Sequence, residues 1–148
     1  MFEIESKQPD EITIITKNGT VKFDIADASI DAGLAVGKIT GPGDFEIGDA
    51  TIRGISTESG KTIYDVEVSG VHVGIIGGIE ENLDDLVADV LGTSSVRAIR
   101  ELEPKLVIAM GNVDAMVSDL KLTARTEKKL KLKNLDSLPV TKEVVVLN

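Results

Sequence analysis

The sequence has no cysteine and no tryptophan, and it has only one histidine, one tyrosine and three phenylalanines. Without thiols there is no disulfide framework, no thiolate nucleophile and no cysteine-ligated zinc or iron–sulfur centre. With aromatics at 3%, the core must be built from Val, Ile, Leu and Ala. The same scarcity removes the aromatic platforms on which single-stranded nucleic acids stack. No apolar run approaches the roughly 20 residues needed to cross a bilayer. The opening MFEIESKQPD carries Glu3, Glu5 and Lys7 and does not read as a signal peptide. A soluble cytoplasmic protein with no membrane contact is expected.

What is present suits one ordinary domain spanning 1–148, with 42% hydrophobic residues. A chain of this length buries roughly 70% of its unfolded surface. The net charge of -9 repels phosphate backbones and argues against nucleic acid as a partner. The charge is uneven. From Lys121 to Lys133 six basic residues (Lys121, Arg125, Lys128, Lys129, Lys131, Lys133) face one acid, Glu127. A solvated face is the simpler reading. An anion patch at Lys128, Lys129, Lys131 and Lys133 is the sharper one.

Alternation organises the first half. In EITIITKNGTVKFDI, Ile12 and Ile14 lead to Asn18-Gly19, expected as a type I′ turn, and Val21, Phe23 and Ile25 return. ADASIDAGLAVG is weakly patterned and reads as a connection. Gly41-Pro42-Gly43 is a turn, followed by strands at Phe45–Ile47 and Ala50–Ile55 around Gly48-Asp49. KTIYDVEVSGVHVGIIGG is a second hairpin around Ser69-Gly70, and its nearly all-apolar return strand is expected to be central.

Helical spacing enters later. IEENLDDLVADVLG fits either a helix or an acidic turn leading into a strand. Ser94 or Ser95 can cap a helix carrying Val96, Ile99 and Leu102 that Pro104 ends. KLVIAM is a strand. VDAMVSDLKL is a helix with Val113, Met116, Val117 and Leu120 on one face, and two short strands flank Leu138-Pro139. Hairpins first and helix–strand alternation later give a layered α/β or α+β domain, a mixed sheet with helices on its outer face.

The residues carry little visible chemistry. His72 lacks a second histidine or cysteine with which to bind metal, and a satisfied or exposed strand histidine is the plainer reading. Gly77-Gly78 is followed by Glu80 and Glu81, whose charge opposes phosphate, so a tight turn is expected there. Glu80, Glu81, Asp84 and Asp85 are oxygen ligands of the kind Mg²⁺ or Ca²⁺ takes, but without EF-hand spacing. Ser56, Ser59, Ser94 and Ser95 lie outside any nucleophile elbow.

The segments ITGPGDFEIGDATIRGI, KTIYDVEVSGVHVGIIGGI, IRELEPKLVIAM and KLKLKNLDSLP…KEVVVL, in that order, resemble the metallo-β-lactamase superfamily. The nearest branch is the small L-type, ascorbate-phosphate-lactonase-like zinc-dependent hydrolases. Gly41-Pro42-Gly43, Arg53-Gly54-Ile55, Thr62-Ile63-Tyr64 and Glu103-Pro104-Lys105 carry the resemblance most specifically. It implies a shortened metallo-β-lactamase-like sandwich and, for the family, zinc.

The departures fall on the ligands. The family's His-x-His-x-Asp-His unit has no counterpart, which implies a deletion between about 27 and 38. Thr57, Glu58, Ser59 and Gly60 cross where the family has a histidine. Gly78 stands where the family has its bridging aspartate, and Gly111 where it has its last histidine. Zinc hydrolysis needs about three protein ligands per metal and an activated water.

The expectation is therefore a catalytically inactive, oligomerising structural or interaction module with no zinc or other cofactor. Its partner is expected to be another copy or another protein across an uncovered sheet edge or apolar flank. A metal-independent site drawing on His72, Glu58, Glu80–Asp85 and the basic stretch is the alternative, and weak anion binding is a third.

Overall fold

Short alternating segments condense into two facing sheets because each can bury only one side. The computed structural model describes residues 1–27, 29–32 and 38–148. Its strands are β1 Phe2–Glu5, β2 Glu11–Thr16, β3 Gly19–Asp24, β4 Ser29–Asp31, β5 Lys38–Thr40, β6 Gly43–Ile47, β7 Ala50–Ser56, β8 Thr62–Val68 and β9 Val71–Gly77. β10 Val90–Thr93, α1 Val96–Leu102, β11 Leu106–Ala109, α2 Val113–Leu120, β12 Thr123–Glu127, β13 Leu130–Leu132 and β14 Glu143–Leu147 complete it.

The six-stranded sheet is antiparallel in the order β13-β1-β2-β3-β4-β5. The eight-stranded sheet runs β12-β14-β11-β10-β9-β8-β7-β6. It is parallel from β9 through β10, β11 and β14 to β12, and antiparallel from β9 to β6.

One core lies between the sheets. Phe2, Ile4, Ile12, Ile14, Val21 and Phe23 from one meet Ile52, Tyr64, Val66, Val73, Ile75 and Ile108 from the other. A second core forms where α1 and α2 cover the eight-stranded sheet, with Ile63, Ile76, Leu91, Ala98, Ile99, Val107, Met116 and Val144 buried together. β9, β10 and β11 are covered on both faces, which is why they read as near-continuous apolar runs. The fold class expected from the pattern is the one observed, with the helices on one outer face.

Several local expectations need correction. ADASIDAGLAVG is not a plain connection: it supplies β4, and Lys38–Thr40 just after it form β5, so that the two extend the six-stranded sheet by backbone pairing. Part of the expected deletion, at 28 and 33–37, lies outside the described residues. The first hairpin turns at Lys17-Asn18, since Thr16 pairs with Gly19. Neither Asn18 nor Gly19 has positive φ, so the turn is not type I′ at Asn18-Gly19. The Thr16 hydroxyl accepts from the Asn18 N–H, and the Asn18 amide donates to Asp49 of the β6–β7 turn at 2.9 Å. The two turns approach so closely that a Cβ on Gly48 would lie 3.0 Å from the Asn18 carbonyl.

The Ser69-Gly70 hairpin is as expected, with φ of 54° and 77°. Of the two readings of 80–91 the turn is correct: a 3-10 turn at Leu83–Asp85 leads into β10. Ser95 caps α1, its hydroxyl accepting from Ala98 N–H at 3.0 Å, and Glu103 ends the helix at φ 47°. On α2 only Met116 of the expected face is buried, while Val117 is exposed. β12 carries too little apolar periodicity to be seen in the sequence, and β1 alternates Phe2 and Ile4 with Glu3 and Glu5 over only four residues.

The six-stranded sheet turns Glu3, Glu5, Glu11, Thr13, Lys22 and Asp24 outward. Among the described residues this outer face is mostly polar, with the half-buried Ile15 set beside Glu3 on it.

Tyr64 is fully buried with its ring 5.3 Å from that of Phe23, and its hydroxyl has no hydrogen-bond partner. Burial, helped by the Asp24 charge, pushes its pKa up to about 12. An unmet buried hydroxyl costs about 1–3 kcal/mol. Tyr64→Phe is expected to hold or raise stability, by up to about 1 kcal/mol in urea unfolding. A loss of more than about 1 kcal/mol would mean that the hydroxyl is satisfied after all.

Candidate functional site

Parallel strands end on the same side, so β9, β10 and β11 deliver Gly77-Gly78, Ser94-Ser95 and Gly111-Asn112 to one place. A Cβ on Gly78 would lie 3.2 Å from the Ser94 hydroxyl, and one on Gly111 would lie 3.9 Å from the Ser94 Cβ. The two glycines that the sequence singles out therefore flank one serine. This is the place where an α/β sheet presents chemistry.

Short hydrogen-bonding side chains close these strand ends. The Thr93 hydroxyl, fully buried, donates to the Gly77 carbonyl at 2.6 Å and accepts from Ser95 N–H at 2.9 Å. The Ser95 hydroxyl donates to Glu80 while capping α1. The Asn112 amide donates to the Ser94 carbonyl at 3.1 Å. The crossing at Thr57–Gly60 is tied down as well: Ser59 N–H donates to the Glu81 carboxylate at 2.9 Å and the Asn82 amide to the Ser56 carbonyl at 3.1 Å. Hydrogen bonds from Ser59 hold the Glu81 carboxyl below its usual range.

Two cavities flank this rim. One of about 440 Å³ is lined by Asp10, Ile25, Asp27, Lys61, Gly78 and Ile79. The other, of about 310 Å³, includes Ser6, Gln8, Met110, Gly111, Val146 and Asn148.

Zinc does not fit these residues. Glycine and serine at the strand ends supply no imidazole or carboxylate, and a zinc site takes three or four such donors. The acidic run does not converge either. Glu80 goes to Ser95, Glu81 goes to Ser59, and Asp85 offers its backbone carbonyl to Arg53. Among the described residues no three His, Asp or Glu side chains are placed to hold a metal ion.

His72 belongs to a different constellation, at the far end of the hairpin. The turn register sets Glu67 opposite His72 and Asp65 opposite Gly74. Nδ1–H donates to Asp65 at 3.0 Å, Nε2 lies 3.7 Å from Glu67, and Arg53 reaches Asp65 at 3.5 Å. The backbone N–H of His72 donates to the Asp89 carboxylate at 2.9 Å. This is the satisfied strand histidine expected from the sequence. Its partners were legible too, because a two-residue turn at Ser69-Gly70 fixes the pairing of Glu67 with His72.

The basic stretch gathers elsewhere. Lys131 and Lys133 are exposed on and after β13, Lys128 stands in the β12–β13 turn, and Lys129 pairs with Glu3 at 3.1 Å. The three sets of candidates do not share a cavity.

Against known proteins, no family model matches the sequence and no curated protein matches it. A solved structure does match, with a TM-score of 0.71 and 18% identity, covering 99% of this chain and 98% of that one. It is a Thermotoga maritima protein described as a Zn-dependent hydrolase of the metallo-β-lactamase superfamily. The fold is the metallo-β-lactamase fold. At this identity the likeness carries the architecture, and function has to be argued from the site.

Two outcomes are expected. Partial burial pulls the His72 pKa down, but the Asp65 hydrogen bond and the charges of Asp65, Glu67 and Asp89 outweigh it and hold it above the ordinary value. The imidazole therefore binds its proton more tightly in the folded chain than in the unfolded one. Its stabilising effect is full below the unfolded pKa of about 6.5 and fades as pH rises through the raised folded value. His72→Gln should thus be most damaging near pH 6 and indistinguishable from the parent in alkaline buffer, a trend read from thermal melts. Thr93→Val, which strips the buried hydroxyl from two partners, should cost about 1–3 kcal/mol in chemical unfolding.

Proposed function

We propose that this chain is a metallo-β-lactamase-fold protein without zinc hydrolysis, working as a structural and interaction module that assembles with copies of itself. One observation carries the reading. At the strand ends, where the resemblance places metal ligands, Gly78 and Gly111 flank a hydrogen-bonded rim of Thr93, Ser94, Ser95 and Asn112. That rim of hydrogen bonds supports a scaffold held by its own side chains.

The competing reading, a metal-independent site assembled from His72, Glu58, the acidic run and the basic stretch, gains no support from placement. Glu58 precedes β8, while His72 pairs with Glu67 near the strand's far end. Five residues of strand separate them by roughly 16 Å. Weak anion binding at Lys128, Lys129, Lys131 and Lys133 is opposed by the pairing of Lys129 with Glu3 and by the acidic charge of the whole chain.

Native mass spectrometry of tag-free protein tests the reading, and the expected species is an apo-mass assembly of more than one subunit. Zinc titration adds an independent check. A site filled to 100 times its Kd would add about 2.7 kcal/mol, and each kcal/mol raises the Tm of a chain this size by about 2–4 °C. The expected shift is under about 1 °C. Retained zinc, or a rise of several degrees, would overturn the proposal.

A further inference from the structure

The eight-stranded sheet ends in β6 on one side and β12 on the other, and among the described residues neither outer edge is paired. Such edges are templates for another strand. Both strands are five residues long. β12 is parallel to β14, β11, β10 and β9, while three antiparallel steps from β9 leave β6 running oppositely. A second copy continuing the sheet would therefore lay its β6 antiparallel against β12.

The side chains agree with that geometry. On β6, Phe45 and Ile47 pack toward the core between the sheets, so Asp44 and Glu46 take the opposite, helix-side face. On β12, Ala124 and Thr126 lie in register with Val144 and Val146 and share that face, while Arg125 is occupied by Glu127 and Glu143. The acids of β6 would lie beside the small side chains of β12. The antiparallel direction then brings Lys121, just before β12, toward Glu46 and Asp49, and Lys128, just after it, toward Asp44. Two-fold pairings are opposed by charge. β6 on β6 sets Asp44 and Glu46 against their own copies, and β12 on β12 does the same to Lys121 and Lys128.

Resting on the assembly proposed above, we infer that the partner is a second copy of this chain, joined head to tail with its acidic β6 edge on the basic β12 edge. A heterologous contact of this kind grows past the dimer, into a ring or an open chain. Edge lysines can equally serve to keep strands apart, and the experiment separates the two roles.

Sedimentation velocity of the full chain over a concentration series, in about 20 mM and about 500 mM salt, is the test. Association beyond the dimer is expected at low salt and its loss at high salt. The exposed charge reversals Asp44→Lys with Glu46→Lys, and separately Lys121→Glu with Lys128→Glu, should each weaken it tenfold or more. Circular dichroism checks that both variants remain folded. An equimolar mixture of the two should associate again, because each supplies the edge the other needs. A wild-type monomer at both salts overturns this arrangement and the assembly reading together. Association that survives both reversals, stops at the dimer, or is not restored by mixing overturns the head-to-tail surface alone.

Discussion

Four adjacent parallel strands, β9, β10, β11 and β14, set the terms for the rest of the molecule. Parallel strands need cover on both faces, which demands a second sheet beneath and helices above. They also need every chain to leave from one end. At that end backbone groups would go unmet as the chains turn away, and unmet groups in a buried rim are costly. Hydroxyl and amide side chains at Thr93, Ser95 and Asn112 meet several of them. The strand ends are tied together here by short polar side chains.

The scarcity of aromatic residues has a structural counterpart. Val, Ile and Leu fill both cores, and the single aromatic pair, Phe23 with Tyr64, bridges the two sheets. β-Branched side chains suit a pleated surface and tolerate close layers. Where the layers come closest, the sequence has glycine. At Gly74 an added Cβ would lie 2.9 Å from Leu86, and at Gly92 2.4 Å from Ile12. These residues are spacers whose value lies in what they omit.

Much of this was legible in the sequence, and the exceptions have physical causes. Strands with one wet and one dry face announced themselves, as did β9 and β11 with none wet. The α1 helix was bounded by Ser95 and Pro104 as its caps require. β12 was missed because TARTE is exposed on both faces and so has no period. β4 and β5 were missed because SID and KIT each carry one large apolar residue and so show no alternation, whereas the equally short β13, LKL, does. The histidine and its acidic partners were recoverable from hairpin register alone. The hydrogen-bonded rim was not, since Gly77, the Thr93–Ser95 run and Asn112 meet only once β9, β10 and β11, distant in sequence, stand side by side. For the strand ends the resemblance to a known family directed attention to Gly78 and Gly111, and the coordinates gave them a common neighbour.

The position of β14 has a consequence for the order of events during folding. Glu143–Leu147 is not an edge piece: it sits between β11 and β12, and β12 has no other partner among the described strands. Local hairpins can form early, but the main sheet keeps a gap until residues 143–147 join it. β1 likewise waits for β13, which joins Phe2 to Leu132. Closing loops of this span before the contacts reward them makes folding slow. In the interval β11 presents an unpaired strand edge, a template on which another chain can pair.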